Sequence, residues 1–200
     1  DLASWLTQAE EVWAKTEGRD KRVYDRLAYH SGITRQNPEM RYKVLYLSSG
    51  TNLAGCVTDT HIIGEDSRIQ PQDLIADHKT YLYETDDVDE AHYLSAIINS
   101  GILNESITNL QSRGEFGARD IHKLPFEFPV PRFNPDNEDH MRLTQLGREC
   151  EEEAKDALSD AEDQYKATWR IREVVRDALE EELAEIDEIV ERLFEAEIET

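Results

Sequence analysis

The spacing of apolar and polar residues divides the chain into a helical start, a strand-containing middle and a long helical end. A first helix is predicted over 4–17, with an apolar stripe formed by Trp5, Leu6, Ala9, Val12 and Trp13. Asp20 is placed to cap a second short helix. Alternating apolar residues and turn signals predict three strands, over 42–49, 53–60 and 79–85.

The second half of the chain is predicted to be helical on both sides of one long loop. Helices are expected over 90–99 and 102–111, and the glycine- and proline-rich stretch 114–135 is expected to be a loop with one edge strand near 126–130. Beyond it, a bend near 159–160 or at Thr168 would fold the rest into a helical hairpin. The predicted fold class is therefore α+β: a small mixed β-sheet with flanking helices over 1–135, followed by a C-terminal helical hairpin over 136–200.

Composition adds an extreme acidity to this picture. The chain has 44 Asp and Glu against 22 Lys and Arg, a net charge of −22, while 38% of its residues are hydrophobic and can fill a core. Taken as a whole, this charge argues against a polyanionic partner. Scattered carboxylates and scarce lysine favour a protein adapted to concentrated salt, and the alternative is an acidic face for a basic partner. Circular dichroism separates the two, because full folding in dilute buffer would contradict the halophilic interpretation.

The charge is unevenly distributed, and two segments escape the acid excess. Residues 19–43 sum to +4 and residues 113–132 to +1, whereas 44–112 sum to −9 and 133–200 to −15. In the second basic segment, Arg113, Arg119 and Lys123 lie on a loop with Gly114 and Gly117, which allow a close backbone approach to another surface. Both segments also have a plain structural interpretation, in which Arg119 pairs with Asp120 and Asp25 pairs within its own helix.

Signatures of catalysis are missing from the sequence. It contains no glycine-rich phosphate loop, no His-Glu-x-x-His, no Gly-x-Ser-x-Gly and no Asn/Asp-Pro-Pro-aromatic motif of an amino methyltransferase. Cys56 and Cys150 do not form a metal-binding spacing, and no apolar run is long enough to cross a membrane. Since the chain has no such run, we expect the protein to be soluble and cytoplasmic. We also expect a fragment of a longer chain, because residue 1 already lies in a helical pattern and there is no initiator Met.

One family resemblance emerges from the order of these segments. A helix ending in Asn-Ser (91–100, AHYLSAIINS), a polar Gln-Ser segment, the loop 114–123, a Pro-rich strand (126–131, FEFPVP) and then His140 with Leu143 and Leu146 follow one another. This order resembles the C-terminal target recognition region of adenine-specific DNA methyltransferases from restriction–modification and related phage-defence systems. The stretch 185–195 (EIDEIVERLFE) is similar to the terminal helix of that family. The resemblance covers residues 40–200, although this chain is far more acidic than typical members.

The resemblance implies a function in DNA recognition. A further N-terminal methyltransferase domain of the same chain would bind S-adenosylmethionine and methylate a flipped adenine, so no cofactor and no catalytic residue are expected in these 200 residues. The partner would be double-stranded DNA and not a membrane. The candidate contacts are the cations Arg35, Arg41, Lys43, Arg113, Arg119 and Lys123, the polar residues Ser49, Thr51 and Asn52, and the glycines Gly114 and Gly117.

Two other function classes stay open at this stage. The chain could be a protein-interaction module that binds another subunit or self-associates through the apolar stripe of 136–200. An enzyme in its own right would need a concave site that joins Glu and His residues, which the sequence spacing does not reveal.

Overall fold

The described part of the chain contains six α-helices, a three-stranded sheet and a two-stranded hairpin. The computed structural model describes residues 2–17, 22, 23, 25, 28, 32–61, 74–77, 79–111, 113, 114, 117, 118 and 120–198. In chain order the elements are α1 (Leu2–Glu17), β1 (Tyr42–Leu47), β2 (Gly55–Asp59), β3 (Thr80–Thr85), α2 (Val88–Asn99), α3 (Gly101–Thr108), β4 (Arg113–Gly114), β5 (Gly117–Ala118), α4 (Glu138–Gln164), α5 (Thr168–Ala178) and α6 (Glu180–Ile198). The α+β class predicted from the sequence is confirmed, whereas the predicted short helix after Asp20 falls mostly outside the described residues.

The sheet has the order β2-β1-β3, and both of its strand pairs are antiparallel. The prediction of a mixed sheet was wrong in this respect. A short connection joins β1 to β2, which suits an antiparallel hairpin, whereas a parallel pair needs a long crossover. Because β1 is the central strand, consecutive side chains on both of its faces are buried: Lys43 and Val44 are 0% exposed.

Helix α2 lies at the centre of the molecule, between the sheet and α4. The side chain of Asp87 caps its first turn by accepting from the backbone N–H groups of Asp89 and Glu90. Its buried residues include Ala91, Ala96 and Ile97, which point in different directions around the axis. A helix that is buried on several sides must be covered by several elements, and α2 packs against β1, β2, α4 and α6.

The C-terminal segment forms three helices where a two-helix hairpin was expected. The chain breaks before Thr168, at one of the two predicted positions, and breaks a second time at Leu179. Ion pairs of Asp139 with Arg192 and of Arg142 with Glu185 show that α4 and α6 run in opposite directions. The hydrophobic core contains residues from before and after position 135, so these helices and the sheet share one core.

The Pro-rich segment that follows β5 is not a strand. A single turn of 3-10 helix spans Leu124–Phe126, with Pro125 at its start, and 127–130 have no ladder partner. Prolines at 125, 129 and 131 remove three backbone N–H donors, which explains why the predicted edge strand near 126–130 does not form. Among the described residues, no helix combines the length and the apolar character needed to cross a bilayer.

Candidate nucleic-acid interface

The turn after β1 and the end of the loop after β5 lie side by side. The carbonyl oxygen of Ser48 accepts hydrogen bonds from the backbone N–H groups of Ile121 (3.0 Å) and His122 (2.9 Å). Ser49 forms a backbone bridge with Asp120, and the Tyr46 hydroxyl donates to the carbonyl of His122 at 2.8 Å. Two segments that the sequence analysis singled out for DNA contact are thus neighbours in space.

The exposed side chains of this region are mostly polar or basic, and Asp120 adds one half-exposed carboxylate, whose Oδ1 lies 3.6 Å from His122 Nε2. Ser49, Thr51, Asn52 and Lys123 are all exposed, whereas Ile121 is 1% exposed and fixes the loop to the core. Hydroxyl, amide and ammonium groups at such a surface can hydrogen-bond phosphate and sugar oxygens. We call the surface formed by residues 49–52 and 120–123 the turn–loop surface.

A short hairpin leads into the turn–loop surface. Strands β4 and β5 pair Arg113 with Ala118 and Gly114 with Gly117, so the two glycines stand opposite each other at the end of the ladder. The side chain of Arg113 and the whole of Arg119 lie outside the described residues. The glycine spacing noted in the sequence therefore corresponds to a tight β-hairpin connection.

His122 holds an unusual backbone conformation at the centre of this surface. Its φ of 45° lies in the left-handed region, which few residues other than glycine adopt. Its backbone N–H donates to the Ser48 carbonyl, and its own carbonyl accepts a hydrogen bond from the Tyr46 hydroxyl. Its ring forms a T-shaped contact with the ring of Tyr81. The surrounding contacts thus hold the loop in one conformation.

The remaining predicted cations lie at the other end of β1. Arg41 precedes the strand and Ser49 follows it, which separates them by about 26 Å at roughly 3.3 Å per residue. The Arg41 guanidinium binds Asp59 through Nε and Nη2, at 3.2 and 2.9 Å, and this hydrogen bonding raises the pKa of Arg41 and lowers that of Asp59. Arg35 is exposed in a turn over 32–36. The structure thus does not bring Arg35 and Arg41 together with the turn–loop surface.

Lys43 is removed from the candidate contacts by its burial. Its side chain is 0% exposed, and its ammonium lies 2.6 Å from Glu84 and 3.1 Å from the carbonyl oxygen of Asn37. The alternation of β1 would point Lys43 away from Val44, but both faces of this central strand are covered. The ammonium therefore stabilises the sheet from within and is not accessible to a partner.

A basic segment that the sequence analysis missed lies beside Asn52. Between Lys166 and Ala178 the chain has four cations and two acids, a local charge of +2 inside the strongly acidic C-terminal part. In the amide orientation that pairs both of its polar groups, Asn52 accepts from Arg172 Nη1 at 3.1 Å. The local positive charge is visible in the sequence, but a charge sum over all of 133–200, which is −15, conceals it.

Helix α5 also borders an apolar cleft. The cleft has a volume of about 520 Å³ and lies between β2, α2, α4 and α5. Its walls include Val57, Ala96, Leu158, Ile171 and Val175, and Arg172 and Arg176 lie at its rim. Both cysteines line it and are free thiols, and burial raises the pKa of Cys150 to about 12.

Two of the described histidines, His92 and His140, lie in mostly buried surroundings. His140 is 3% exposed, accepts from the backbone N–H of Asn134 at 3.0 Å and stacks on Tyr93. Burial lowers the pKa of both His92 and His140. Within the residues that the structure describes, no group of three His, Cys, Asp or Glu side chains could hold a metal ion. The candidate site in the described part is thus the turn–loop surface.

Comparisons with protein-family models, with curated proteins and with solved structures find no match to this chain. The resemblance to methyltransferase target recognition regions stays a prediction, and the function must be argued from the residues and their placement.

Proposed function

We propose that this chain is a DNA target recognition module of an adenine-specific DNA methyltransferase of a restriction–modification or related phage-defence system. It selects the site, and a catalytic domain elsewhere in the parent protein binds S-adenosylmethionine and modifies the base. Such a protein would act in the cytoplasm, where the DNA of a prokaryotic cell lies.

The observation that carries the proposal is the contact between the turn after β1 and the loop after β5. These segments are about seventy residues apart in sequence, yet backbone hydrogen bonds from Ile121 and His122 to Ser48 join them into one surface. Together the two segments carry polar and basic residues. Loops held on a rigid scaffold are where binding residues concentrate.

The overall charge is compatible with this surface if binding relies on local contacts. Seven cations of the described residues are tied to carboxylates, among them Arg41, Arg142 and Arg192. No ion pair of Lys123 is found within the described residues, and this exposed residue follows His122, whose backbone N–H binds the Ser48 carbonyl. Affinity is then expected to come from close hydrogen bonds and shape more than from long-range attraction.

Binding and sequence selection test the proposal together. The purified chain is titrated into a fluorescent duplex of random sequence at several KCl concentrations, and bound duplexes are amplified and sequenced over repeated rounds. A target recognition module enriches one motif that contains adenine on at least one strand. Absence of binding at every salt concentration, or binding without any enriched motif, would contradict the proposal.

A matched pair of variants locates the surface. Arg119→Ala with Lys123→Ala is expected to weaken duplex binding, whereas Lys15→Ala with Arg192→Ala removes the same charge from α1 and α6 and is expected to leave binding unchanged. In the full-length enzyme, the first variant should keep its affinity for S-adenosylmethionine. Equal losses of duplex affinity in both variants would mean that binding depends only on the net charge of the chain and not on this surface.

Self-association through 136–200 is a second candidate function, favoured by exposed apolar side chains on these helices. Trp169 is 59% exposed and Leu158 is 40% exposed, and Leu158 borders the apolar cleft. Sedimentation at high salt separates the two candidates. A stable dimer that is indifferent to DNA would favour the interaction module, and a monomer that enriches one DNA motif would exclude it.

A further inference from the structure

We propose that the edge of α5 carrying Arg172 and Arg176 is a second phosphate-binding surface, which grips the backbone of the duplex held by the turn–loop surface. The inference rests on the proposed function and deepens it by adding a helix that neither the sequence analysis nor the family resemblance selected.

The first observation is that the cations of α5 have no carboxylate partner among the described residues. The chain has twice as many acids as cations, and most other described arginines are ion-paired. No ion pair joins Arg170, Arg172 or Arg176 to a described acid, although Glu173 and Asp177 lie on the same helix. Guanidinium groups without carboxylate partners keep their donors available for an external anion.

The second observation is the direction of these side chains around the helix. Arg172 and Arg176 are four residues apart and share one edge of α5, separated by about 6 Å along the axis. Arg170 points to a different side, which it shares with Glu173 and Asp177 at spacings of three and seven residues. The Arg172 edge is therefore basic, whereas the Arg170 side carries one cation and two acids, a sum of −1.

The third observation is that this edge continues into the turn–loop surface. The Asn52 amide accepts one hydrogen bond from Arg172, and its nitrogen donates to the Thr51 carbonyl at 3.3 Å. A guanidinium has five N–H donors, so four donors of Arg172 remain after this contact. The turn 49–52 thus touches the 120–123 loop on one side and α5 on the other, so it connects the two proposed contact regions.

Two aromatic residues near the start of α5 hold the side chain of Arg170. The Arg170 guanidinium lies over the Trp169 ring at 4.8 Å and over the Tyr165 ring at 5.9 Å. Such stacking reduces the conformational freedom of the segment that leads into the helix. Because Trp169 is three residues before Arg172, its exposed ring flanks the same edge.

The salt dependence of DNA binding tests this inference directly. The logarithm of the binding constant falls as the logarithm of the salt concentration rises, and each phosphate that a protein neutralises adds about 0.9 to the magnitude of that slope. If Arg172 and Arg176 each bind one phosphate, Arg172→Gln with Arg176→Gln is expected to reduce that slope by about 1.8 and to weaken binding to all duplex sequences equally. Arg172→Lys with Arg176→Lys keeps both charges and should keep the slope.

Two controls make the outcome specific to this edge. Lys15→Ala with Arg192→Ala removes the same charge elsewhere and should not change the slope. Both arginines are exposed and Gln retains their aliphatic stems, so circular dichroism of the Gln variant is expected to match the wild type.

Failure of the inference is distinguishable from failure of the proposed function. A slope that is unchanged in the Arg172/Arg176 variant but reduced in the Arg119/Lys123 variant overturns the inference and leaves the proposed function standing. A wild-type chain that binds no duplex overturns both. If the Arg172/Arg176 variant changes self-association and not DNA binding, the edge serves a protein partner, which also overturns the inference.

Discussion

The ammonium of Lys43 lies 2.6 Å from the carboxylate of Glu84, its directly opposite partner in the antiparallel pair of β1 and β3. The Lys43 side chain is fully buried and that of Glu84 is largely so. Both groups also bond to Asn37, whose carbonyl accepts from the ammonium and whose N–H donates to the carboxylate. The pair thus fixes the turn before β1 to the sheet.

Removing one member of this pair is expected to destabilise the fold strongly. Lys43→Met leaves the Glu84 carboxylate without its counter-charge, and breaking a buried ion pair in this way costs about 3–5 kcal/mol of unfolding free energy. Urea unfolding measures the change. Lys43→Met combined with Glu84→Leu should recover much of the loss, because a well-packed apolar pair can replace buried ions. A loss below about 1 kcal/mol in the single variant would indicate an ordinary surface pair.

Gly147 is expected to be required in the middle of α4, although alanine is the better helix former. A Cβ at this position would overlap the carbonyl oxygen of His92 in α2. Gly147→Ala would gain about 1 kcal/mol of helix propensity, yet overpacking of this kind typically costs about 1–3 kcal/mol, and the clash involves backbone that cannot rotate away. We therefore expect a lower melting temperature for Gly147→Ala.

Ser159→Ala supplies the control for this prediction, because Ser159 is exposed on the same helix. This variant should be neutral or slightly stabilising. An equal rise in melting temperature for both variants would mean that α2 and α4 are not in close contact at Gly147.

Acid is expected to weaken the fold partly through His140. Burial lowers the pKa of His140 from its ordinary value of 6.5, against the raising influence of Asp139 and Glu197. The unfolded chain therefore takes up the proton more readily as the pH falls below about 6.5, and the free energy of unfolding decreases there. Above that pH both states hold neutral imidazole, so this residue adds no pH dependence. His92, whose pKa burial also lowers, acts in the same direction.

Unfolding of His140→Asn checks this contribution. The Asn side chain offers an acceptor to the N–H of Asn134 but does not titrate, so the decrease between about pH 7 and pH 5.5 should be smaller than in the wild type. Nuclear magnetic resonance of the wild-type imidazole should give a pKa below 6.5. Identical pH profiles for wild type and variant would exclude the role of His140.

The α+β class, α2 and the long C-terminal helices follow from local signals. Helices over 90–99 and within 136–200 were predicted, and the side chains of Asp87 and Asn137 cap the observed α2 and α4, while the apolar run over 42–47 marks the central strand. The burial of Lys43 could not be predicted, because it depends on Glu84, 41 residues away. The break at Leu179 was also missed, since neither glycine nor proline marks it.

The candidate site was predictable in its parts and not in its assembly. Local composition identified the turn 49–52 and the loop 114–123, but their contact through Ser48 and Ile121 is a tertiary one. Arg41 was chosen for its charge and is neutralised by Asp59, which the register of β1 and β2 places nearby. Arg172 was overlooked because neighbouring acids hid it in a long charge sum.

The hydrogen bonds that attach the 120–123 segment to β1 and its turn use main-chain atoms of the segment, and the buried Ile121 side chain adds packing against the core. The N–H groups of Ile121 and His122 donate to the Ser48 carbonyl, and the His122 carbonyl accepts a hydrogen bond from the Tyr46 hydroxyl. Main-chain donors and acceptors are the same whatever side chains the loop carries. A loop fastened in this way can exchange exposed side chains such as that of Lys123 over evolutionary time, while the main-chain hydrogen bonds and Ile121 keep its base in place.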